Sequence, residues 1–147
     1  MKALSVTRPW PTFMFRRDEP VKTIENRTWF TPYRGPLLIH AARSWQGSAL
    51  DFVWQKFGLT GLSWDQHDYP LGIVGLVDVV DVCAAEIRPG RVCECGGWAA
   101  FGQYHWRIAN PRPLVEPVPC KGSLGLWVPP ADVMDAVRVQ MEEAVRG

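Results

Sequence analysis

Residues 71–83 constrain the fold of this chain more than any other segment. They form a valine-rich apolar stretch that is typical of a long buried strand. Two glycines and two aspartates interrupt it: Gly72, Gly75, Asp78 and Asp81. Those interruptions exclude a membrane-spanning helix, and glycines inside a strand permit a bend or bulge. Because bends of this kind let a small sheet close on itself, the segment predicts a small β-barrel.

Shorter patterns predict the other elements. Strands are predicted at residues 2–6, 37–42, 104–109 and 124–128, with a Pro-rich turn after residue 109. Helices are predicted at residues 9–17, 48–57 and 131–146, the last of them amphipathic. No repeat or linker divides the chain, so we expect a single α+β domain over residues 1–147. In it the C-terminal helix packs on a barrel of about five to six strands.

The overall composition is that of a globular protein. Hydrophobic residues make up 47% of the chain and charged residues 21%. Glycine and proline, 13 of each, are spread over many turns, which favours strands over a helical bundle. No apolar run follows Met1 that is long enough for a secretory signal, so we expect a cytoplasmic protein.

The charges are unevenly divided along the chain, although the formal net charge is only +1. Residues 1–50 carry eight Lys and Arg against three acids, whereas residues 51–147 carry eight against twelve. A basic N-terminal third would attract phosphate locally, unless folding mixes the charges into a neutral surface. Most of these cations are arginines, whose planar fork suits phosphates and base edges.

The densest set of polar groups is Lys22-Thr23-Ile24-Glu25-Asn26-Arg27. In an extended segment Glu25, Arg27 and Trp29 project from one face, and the long stem of Lys22 reaches the same place from the preceding turn. An acid that accepts from an amine, beside cations that donate to a carbonyl, matches the Watson–Crick edge of a base. The same groups can hold a water for attack on an amide. A solvated edge strand with salt bridges remains open as an alternative.

Three motifs, in this order, resemble the ASCH domain family. They are Leu4-Ser5-Val6-Thr7-Arg8-Pro9-Trp10, the run from Lys22 to Trp29, and Tyr33-Arg34-Gly35-Pro36-Leu37-Leu38-Ile39-His40-Ala41. The similarity continues through Gly72-Ile73-Val74-Gly75 and Gly122-Ser123-Leu124-Gly125-Leu126-Trp127, and so covers most of residues 3–128. The resemblance implies a PUA-like β-barrel with a cleft beside the first helix and two or three flanking helices. It also implies binding of RNA or modified nucleobases.

The resemblance further implies a catalytic set. Lys22, Glu25 and Arg27 match the family lysine, acid and arginine. Some members hydrolyse the acetyl amide of N4-acetylcytidine, and one relative is described as a ribonuclease. The small bacterial amidohydrolases carry a threonine where this chain has Glu25, so a threonine nucleophile would have to be Thr23. A further departure is that Pro20-Val21 precedes Lys22 where the family usually has a glycine. The family's third catalytic residue, a glutamate, has no match. The candidate catalytic residues are therefore Lys22, Glu25 and Thr23.

Further residues complete the predicted ligand-binding set. Trp10 and Trp29 are expected to form stacking walls, while Arg8 with Arg34 or Arg43 would contact phosphate. The loop Lys121-Gly122-Ser123 is placed at the cleft rim. For His40 a buried histidine bonded to backbone is favoured over a role in the pocket, and for the rings of Tyr104 and Trp106 core packing is favoured at least as much as stacking on a base. The binding set comprises Ser5, Arg8, Trp10, Arg27, Trp29, His40 and Lys121.

The four cysteines are interpreted as unliganded thiols. Cys93-Glu94-Cys95 lacks the two-residue gap of a zinc knuckle, and no Cys-x-x-Cys pair exists. A zinc site that also uses His105 or His67 is the alternative. We predict no metal and no cofactor. The cysteines are Cys83, Cys93, Cys95 and Cys120.

Three functional hypotheses follow. The leading one is a domain that binds RNA or a modified nucleoside or nucleobase. The second is an amidohydrolase that acts on acylated cytidine, and the third is a protein-interaction barrel whose cleft is vestigial. No membrane partner is expected, and a monomer is favoured.

Overall fold

A computed structural model describes all residues from 1 to 147. The chain forms one mixed six-stranded sheet with three α-helices, which confirms the predicted α+β class. The strands are β1 (Lys2–Arg8), β2 (Ile24–Arg27), β3 (Gly35–Trp45), β4 (Gly72–Cys83), β5 (Tyr104–Val118) and β6 (Leu126–Trp127). The helices are α1 (Trp10–Met14), α2 (Ser48–Phe57) and α3 (Ala131–Arg146), with single 3₁₀ turns at Gln66–Asp68 and Ala85–Ile87. None of the helices combines the length and hydrophobicity that crossing a bilayer requires.

The sheet is a partly closed barrel with strand order β2-β5-β4-β3-β1-β6. The pairing of β1 with β3 is parallel, and every other pairing is antiparallel. The pairing of β4 with β5 shifts register at three points, and the bend predicted at the glycines of β4 lies in this region. A Cβ at Gly75 would come within 2.7 Å of the Phe15 ring and 2.8 Å of the Arg112 carbonyl oxygen, so only glycine fits there.

The turn predicted after residue 109 is wrong, because β5 continues to Val118. Prolines 111, 113 and 117 interrupt the sequence pattern but not the strand. The partner strand β2 covers only Tyr104–Arg107 of β5, so most of β5 has one free edge where a missing N–H donor costs nothing.

Helix α1 is shorter than predicted and ends at Met14 instead of residue 17. The carbonyl of Phe13 accepts a hydrogen bond from the backbone N–H of Lys22 (2.7 Å), which takes the place of the next helical bond. The hydrogen bond therefore holds the segment that follows α1 against the end of that helix. This contact fixes the backbone of Lys22 just before β2.

Three apolar clusters hold the elements in place. One packs around Leu4, Val6 and Trp106 of the sheet, and a second packs α3 onto the sheet through Val133, Met134 and Val137. The third joins α1, α2 and the segment that precedes β5, and it contains Phe13, Ile24, Leu50, Val53, Tyr69 and Trp98. This third cluster matters for the candidate site, because it packs the residues on both sides of Lys22.

Candidate functional site

The Lys22 ammonium group is fully buried between two indole rings. Its Nζ lies 5.5 Å from the ring centre of Trp10 and 6.0 Å from that of Trp98, so both rings stabilise the cation through their faces. The Nζ also donates a hydrogen bond to the Ile24 carbonyl and lies 3.6 Å from Glu25 Oε1. Burial lowers the pKa of Lys22, and Arg27 adds to the effect, while Glu25 opposes it.

Glu25 and Arg27 project from the same face of β2, as the extended pattern predicts. Arg27 Nε lies 2.9 Å from Glu25 Oε2. The Nε–H is not directed at that oxygen, and this buried donor has no hydrogen-bond acceptor within the chain. Arg27 Nη2 donates to the Ser5 carbonyl oxygen at 2.8 Å. The guanidinium therefore joins β2 to β1 and keeps the Glu25 carboxylate beside Lys22.

A cavity of about 230 Å³ opens over this group and is called the lysine cavity below. It is smaller than the pockets of about 300–1,000 Å³ that hold drug-sized ligands, so it suits a small ring system. Trp10 forms part of its wall, and the Trp10 Nε1–H donates to Gln46 Oε1 at 3.0 Å. The lining residues are Trp10, Lys22, Glu25, Asn26, Gln46, Ala100 and Gln103.

A second and larger cavity of about 740 Å³, called the histidine cavity below, contains His40, Arg43 and Lys121. His40 Nε2 donates to the Cys120 carbonyl oxygen at 2.9 Å, since a carbonyl can only accept. In the neutral ring, Nδ1 then accepts from the Ser5 hydroxyl at 3.1 Å. His40 is therefore bonded to backbone, and it lines a cavity other than the one that contains Lys22 and Glu25.

The loop at Gly122 packs directly against this histidine. A Cβ at Gly122 would meet Ser5 Oγ at 2.5 Å and His40 Cε1 at 2.7 Å. Only glycine lets the backbone approach so closely, which places Lys121 at the mouth of the histidine cavity.

The predicted site residues therefore divide between two cavities. Trp10, Lys22 and Glu25 line the lysine cavity, whereas Ser5, His40 and Lys121 line the histidine cavity. Arg27 connects the two, because it pairs with Glu25 and donates to the carbonyl of Ser5, whose hydroxyl bonds His40.

Comparisons with known proteins reveal distant relatives. No family model matches the chain. The chain is 27% identical over 129 residues to Activating signal cointegrator 1 of Homo sapiens, and 26% identical over 129 residues to that of Mus musculus. The aligned part is 84% of this chain but 21% of each relative, so the chain matches about a fifth of their length. This distant homology gives weak support to the ASCH and PUA-like relationship that the motifs indicate.

Three of the predicted site residues line neither the lysine cavity nor the histidine cavity. The Arg8 guanidinium is buried and donates to backbone carbonyl oxygens of Ala42, Arg43, Gln66 and Tyr69 at 2.8–3.1 Å. Its donors are therefore used within the chain, and no phosphate contact from Arg8 is expected. Thr23 is exposed and does not line the lysine cavity. Trp29 packs edge-on against Trp106, with ring centres 4.8 Å apart.

The two alternative phosphate contacts also differ. Arg34 donates to the carbonyls of Thr31 and Tyr33, and it pairs with Asp81 at 3.8 Å. Arg43 is exposed and lines the histidine cavity together with Lys121. Arg43 is therefore the arginine that remains available to an anionic ligand.

The amide residues of the lysine cavity were not identified from the sequence. Gln46 follows β3 and Gln103 precedes β5, far from residues 22–27 in the chain. Trp98, which covers Lys22, lies in the irregular segment before β5. Asn26 belongs to the central motif, and its amide bonds the Trp98 carbonyl and the Ala100 N–H, which fastens that segment to the site. No local signal marks Gln46, Gln103 or Trp98, because only the fold brings them to Lys22.

Proposed function

We propose that the chain is a binding domain for RNA or a modified nucleobase, and that the lysine cavity receives one base. The observation that carries this proposal is the buried Lys22–Glu25 pair at the floor of a small cavity with an indole wall. Replacing a buried ion pair by apolar side chains often stabilises a protein. A pair that is retained at the floor of a cavity is therefore better explained by a ligand than by stability.

The chemistry of the cavity suits the edge and face of a pyrimidine. Glu25 accepts from an exocyclic amine, and Lys22 donates to a ring carbonyl. The Trp10 indole offers an apolar wall, and its orientation is held by Gln46. The side-chain amides of Gln46 and Gln103 supply further donors and acceptors that discriminate between bases.

The residues of the histidine cavity suit binding of a phosphate. Arg43 and Lys121 lie at its mouth, and Ser123 offers a hydroxyl. These are the residue types that contact nucleic-acid phosphates, and each such contact makes binding dependent on salt. The excess of cations in residues 1–50 agrees with this placement.

A titration calorimetry experiment tests the proposal with a short single-stranded RNA of mixed sequence, cytidine and N4-acetylcytidine. We expect wild type to bind at least one of them and Lys22→Met to bind at least about tenfold more weakly, the effect of about 1.4 kcal/mol. Lys56→Met, which removes an exposed lysine of α2 outside both cavities, serves as the control and should bind like wild type. Lack of binding by wild type to all three ligands would overturn the proposal.

A second candidate function is hydrolysis of an acyl amide on cytidine, which is favoured by the lowered pKa of the buried Lys22 beside a carboxylate. In this scheme Glu25 takes a proton from water, and the hydroxide attacks the acetyl carbon while Lys22 donates to the developing oxyanion. Collapse of the adduct breaks the C–N bond, and the proton held by Glu25 passes to the leaving amine. The products are cytidine and acetate. Thr23 has no part in this scheme because it does not line the cavity.

Turnover of N4-acetylcytidine, followed by mass spectrometry, separates binding from hydrolysis. Deacetylation by wild type that Glu25→Gln and Lys22→Ala both abolish would establish the enzyme. Binding without turnover during long incubation with excess protein would contradict hydrolysis and leave the binding function intact.

A further inference from the structure

Four side chains that commonly bind metal ions meet where β4 ends and β5 begins. The ligand atoms of Cys83, Cys93, Cys95 and His105 all lie within 4.8 Å of one another. In a tetrahedral zinc site with Zn–S bonds of about 2.3 Å, neighbouring ligand atoms are about 3.8 Å apart. The ligand atoms therefore need to move closer together by only about 1 Å or less to reach zinc-binding distances.

The fold itself creates this group. Cys83 is the last residue of β4 and pairs across the sheet with His105, the second residue of β5. Cys93 and Cys95 come from residues 88–103, the irregular segment that connects those strands. Two of the ligands, Cys83 and His105, thus belong to strands of the sheet. The other two belong to a loop with little regular structure.

His105 is oriented as a metal ligand. Its side chain is completely buried, and its Nε2 lies 2.6 Å from the Ala100 carbonyl oxygen and 3.3 Å from Glu86 Oε1. Both of those oxygens accept, so Nε2 carries the hydrogen, and the Nδ1 lone pair faces Cys93 Sγ at 3.2 Å. Metal-bound histidines typically donate the opposite ring N–H to a carbonyl or a carboxylate in this way.

The surroundings of the cluster suit three thiolates. Glu86 accepts from the backbone N–H of Cys93 at 3.2 Å, which holds the loop near the sheet. Arg107 Nη2 lies 3.6 Å from Cys95 Sγ and offsets the negative charge that three thiolates leave around a divalent ion. Three sulfurs and one imidazole nitrogen form a closed ligand set of the structural zinc type.

We propose that Cys83, Cys93, Cys95 and His105 bind one zinc ion that fastens residues 88–103 to the end of the sheet. This assignment replaces the interpretation of these cysteines as unliganded thiols. Sequence spacing is a poor guide here, because the ligands come from two strands and a loop instead of two Cys-x-x-Cys turns.

The zinc site has a structural consequence for the lysine cavity. The fastened segment carries Trp98, whose ring covers Lys22, and Ala100, which lines the cavity. The Ala100 carbonyl also accepts from His105. The metal would therefore hold one wall of that cavity in place, whether or not the cavity binds a base.

The chain offers its own control for this proposal. Cys120, the fourth cysteine, lies in the histidine cavity and is not part of the cluster. His67, the other histidine considered as a ligand, is exposed and paired with Asp65. Cys120→Ser therefore removes a cysteine without touching the proposed ligands.

Metal analysis of the full chain, purified without chelator, tests the proposal. We expect about one zinc per chain in wild type and in Cys120→Ser, and strong loss of zinc in Cys95→Ser. A chelator should lower the Tm of wild type and Cys120→Ser, while Cys95→Ser should already have the lower Tm and should not respond.

Titration of metal-free wild type with Co²⁺ tests the site without any variant, so the result does not depend on whether a variant folds. The proposal predicts saturation at one equivalent, with the intense absorption of tetrahedral thiolate coordination, and displacement by Zn²⁺. Wild type without zinc that also gives no such spectrum would overturn it. Equal loss of zinc in Cys120→Ser and Cys95→Ser would overturn it as well.

Discussion

The Nζ of Lys22 lies 3.6 Å from Glu25 Oε1, and the two side chains are only 3% and 9% exposed. Taking both charges out of water costs several kcal/mol per ion, and their attraction offsets that cost only in part. Arg27 lies against the same carboxylate, so one acid faces two cations. The buried group of Lys22, Glu25 and Arg27 therefore carries an excess of positive charge.

Replacing the two partners should change stability in opposite directions. Lys22→Met removes the buried cation and leaves Glu25 paired with Arg27, so its Tm should equal or exceed that of wild type. Glu25→Gln leaves Lys22 and Arg27 without their carboxylate and should cost about 3 kcal/mol of unfolding free energy. Chemical denaturation of the three proteins checks this. A large loss of stability in Lys22→Met would show that the pair serves mainly to hold the fold together.

The stability of wild type relative to Lys22→Met should rise with pH. Burial lowers the pKa of Lys22 below its ordinary value of 10.5, so the unfolded chain binds this proton more tightly than the folded protein does. Between the lowered pKa and 10.5 the unfolded state carries more protons, and the unfolding free energy therefore increases with pH. Parallel denaturation of both proteins from about pH 7 to about pH 10 measures the difference, in which other titrating groups cancel. A difference that falls with pH would contradict the account.

Arg8 and Arg43 should have separable effects. Arg8→Lys loses the fork that bonds several carbonyls, so we expect a loss of about 3 kcal/mol in stability. The folded fraction of Arg8→Lys should bind RNA with an affinity that depends on salt as it does in wild type. Arg43→Ala should leave Tm unchanged and reduce the slope of log K against log salt by about one. Calorimetry at several salt concentrations, together with Tm, distinguishes this pattern from one in which Arg8 contacts phosphate.

Gly122→Ala should destabilise the protein and disturb His40. The added methyl group would overlap Ser5 Oγ and His40 Cε1, so the loop has to move, at a cost of about 1–3 kcal/mol. Gly47→Ala is the matched control, because its Cβ meets only Trp45 Nε1 at 3.4 Å. Denaturation curves and the His40 ring resonances report both effects. Equal stability of the two variants would mean that the loop does not depend on this close approach.

Elements with local signals were predicted well. Helices α2 and α3 have the bounds that the amphipathic patterns predict, and Gly58 ends α2 with a left-handed φ of +70°. The register shift between Ile73 and Gly75 lies at the glycines of β4 where a bend or bulge was expected. By contrast, β5 continues through its prolines because β2 covers only part of it, and neighbouring strands are not visible in a local pattern.

The sequence predicts that Lys22, Glu25 and Arg27 lie together, but not which residues surround them. Lys22, Glu25 and Arg27 lie within six residues, so spacing alone brings their charges together. The division into two cavities was not predicted, because the two linings come from different elements. The lysine cavity is lined mainly from α1, β2 and the segment that precedes β5, whereas the histidine cavity is lined from β1, β3 and the loop that precedes β6. The positions of Gln46 and Gln103 in the lysine cavity, and the grouping of the three cysteines with His105, depend on long-range contacts that no local pattern encodes.

A nuclear magnetic resonance titration shows whether a base occupies the lysine cavity. N4-acetylcytidine and cytidine would be added to labelled wild type and Lys22→Met, with the Trp10 indole N–H and the side-chain amides of Gln46 and Gln103 as reporters. If a base binds there, these resonances shift saturably in wild type, and the shifts are lost or the affinity is at least about tenfold weaker in Lys22→Met. Shifts confined to other surfaces, or equal shifts in both proteins, would contradict binding of a base in the lysine cavity.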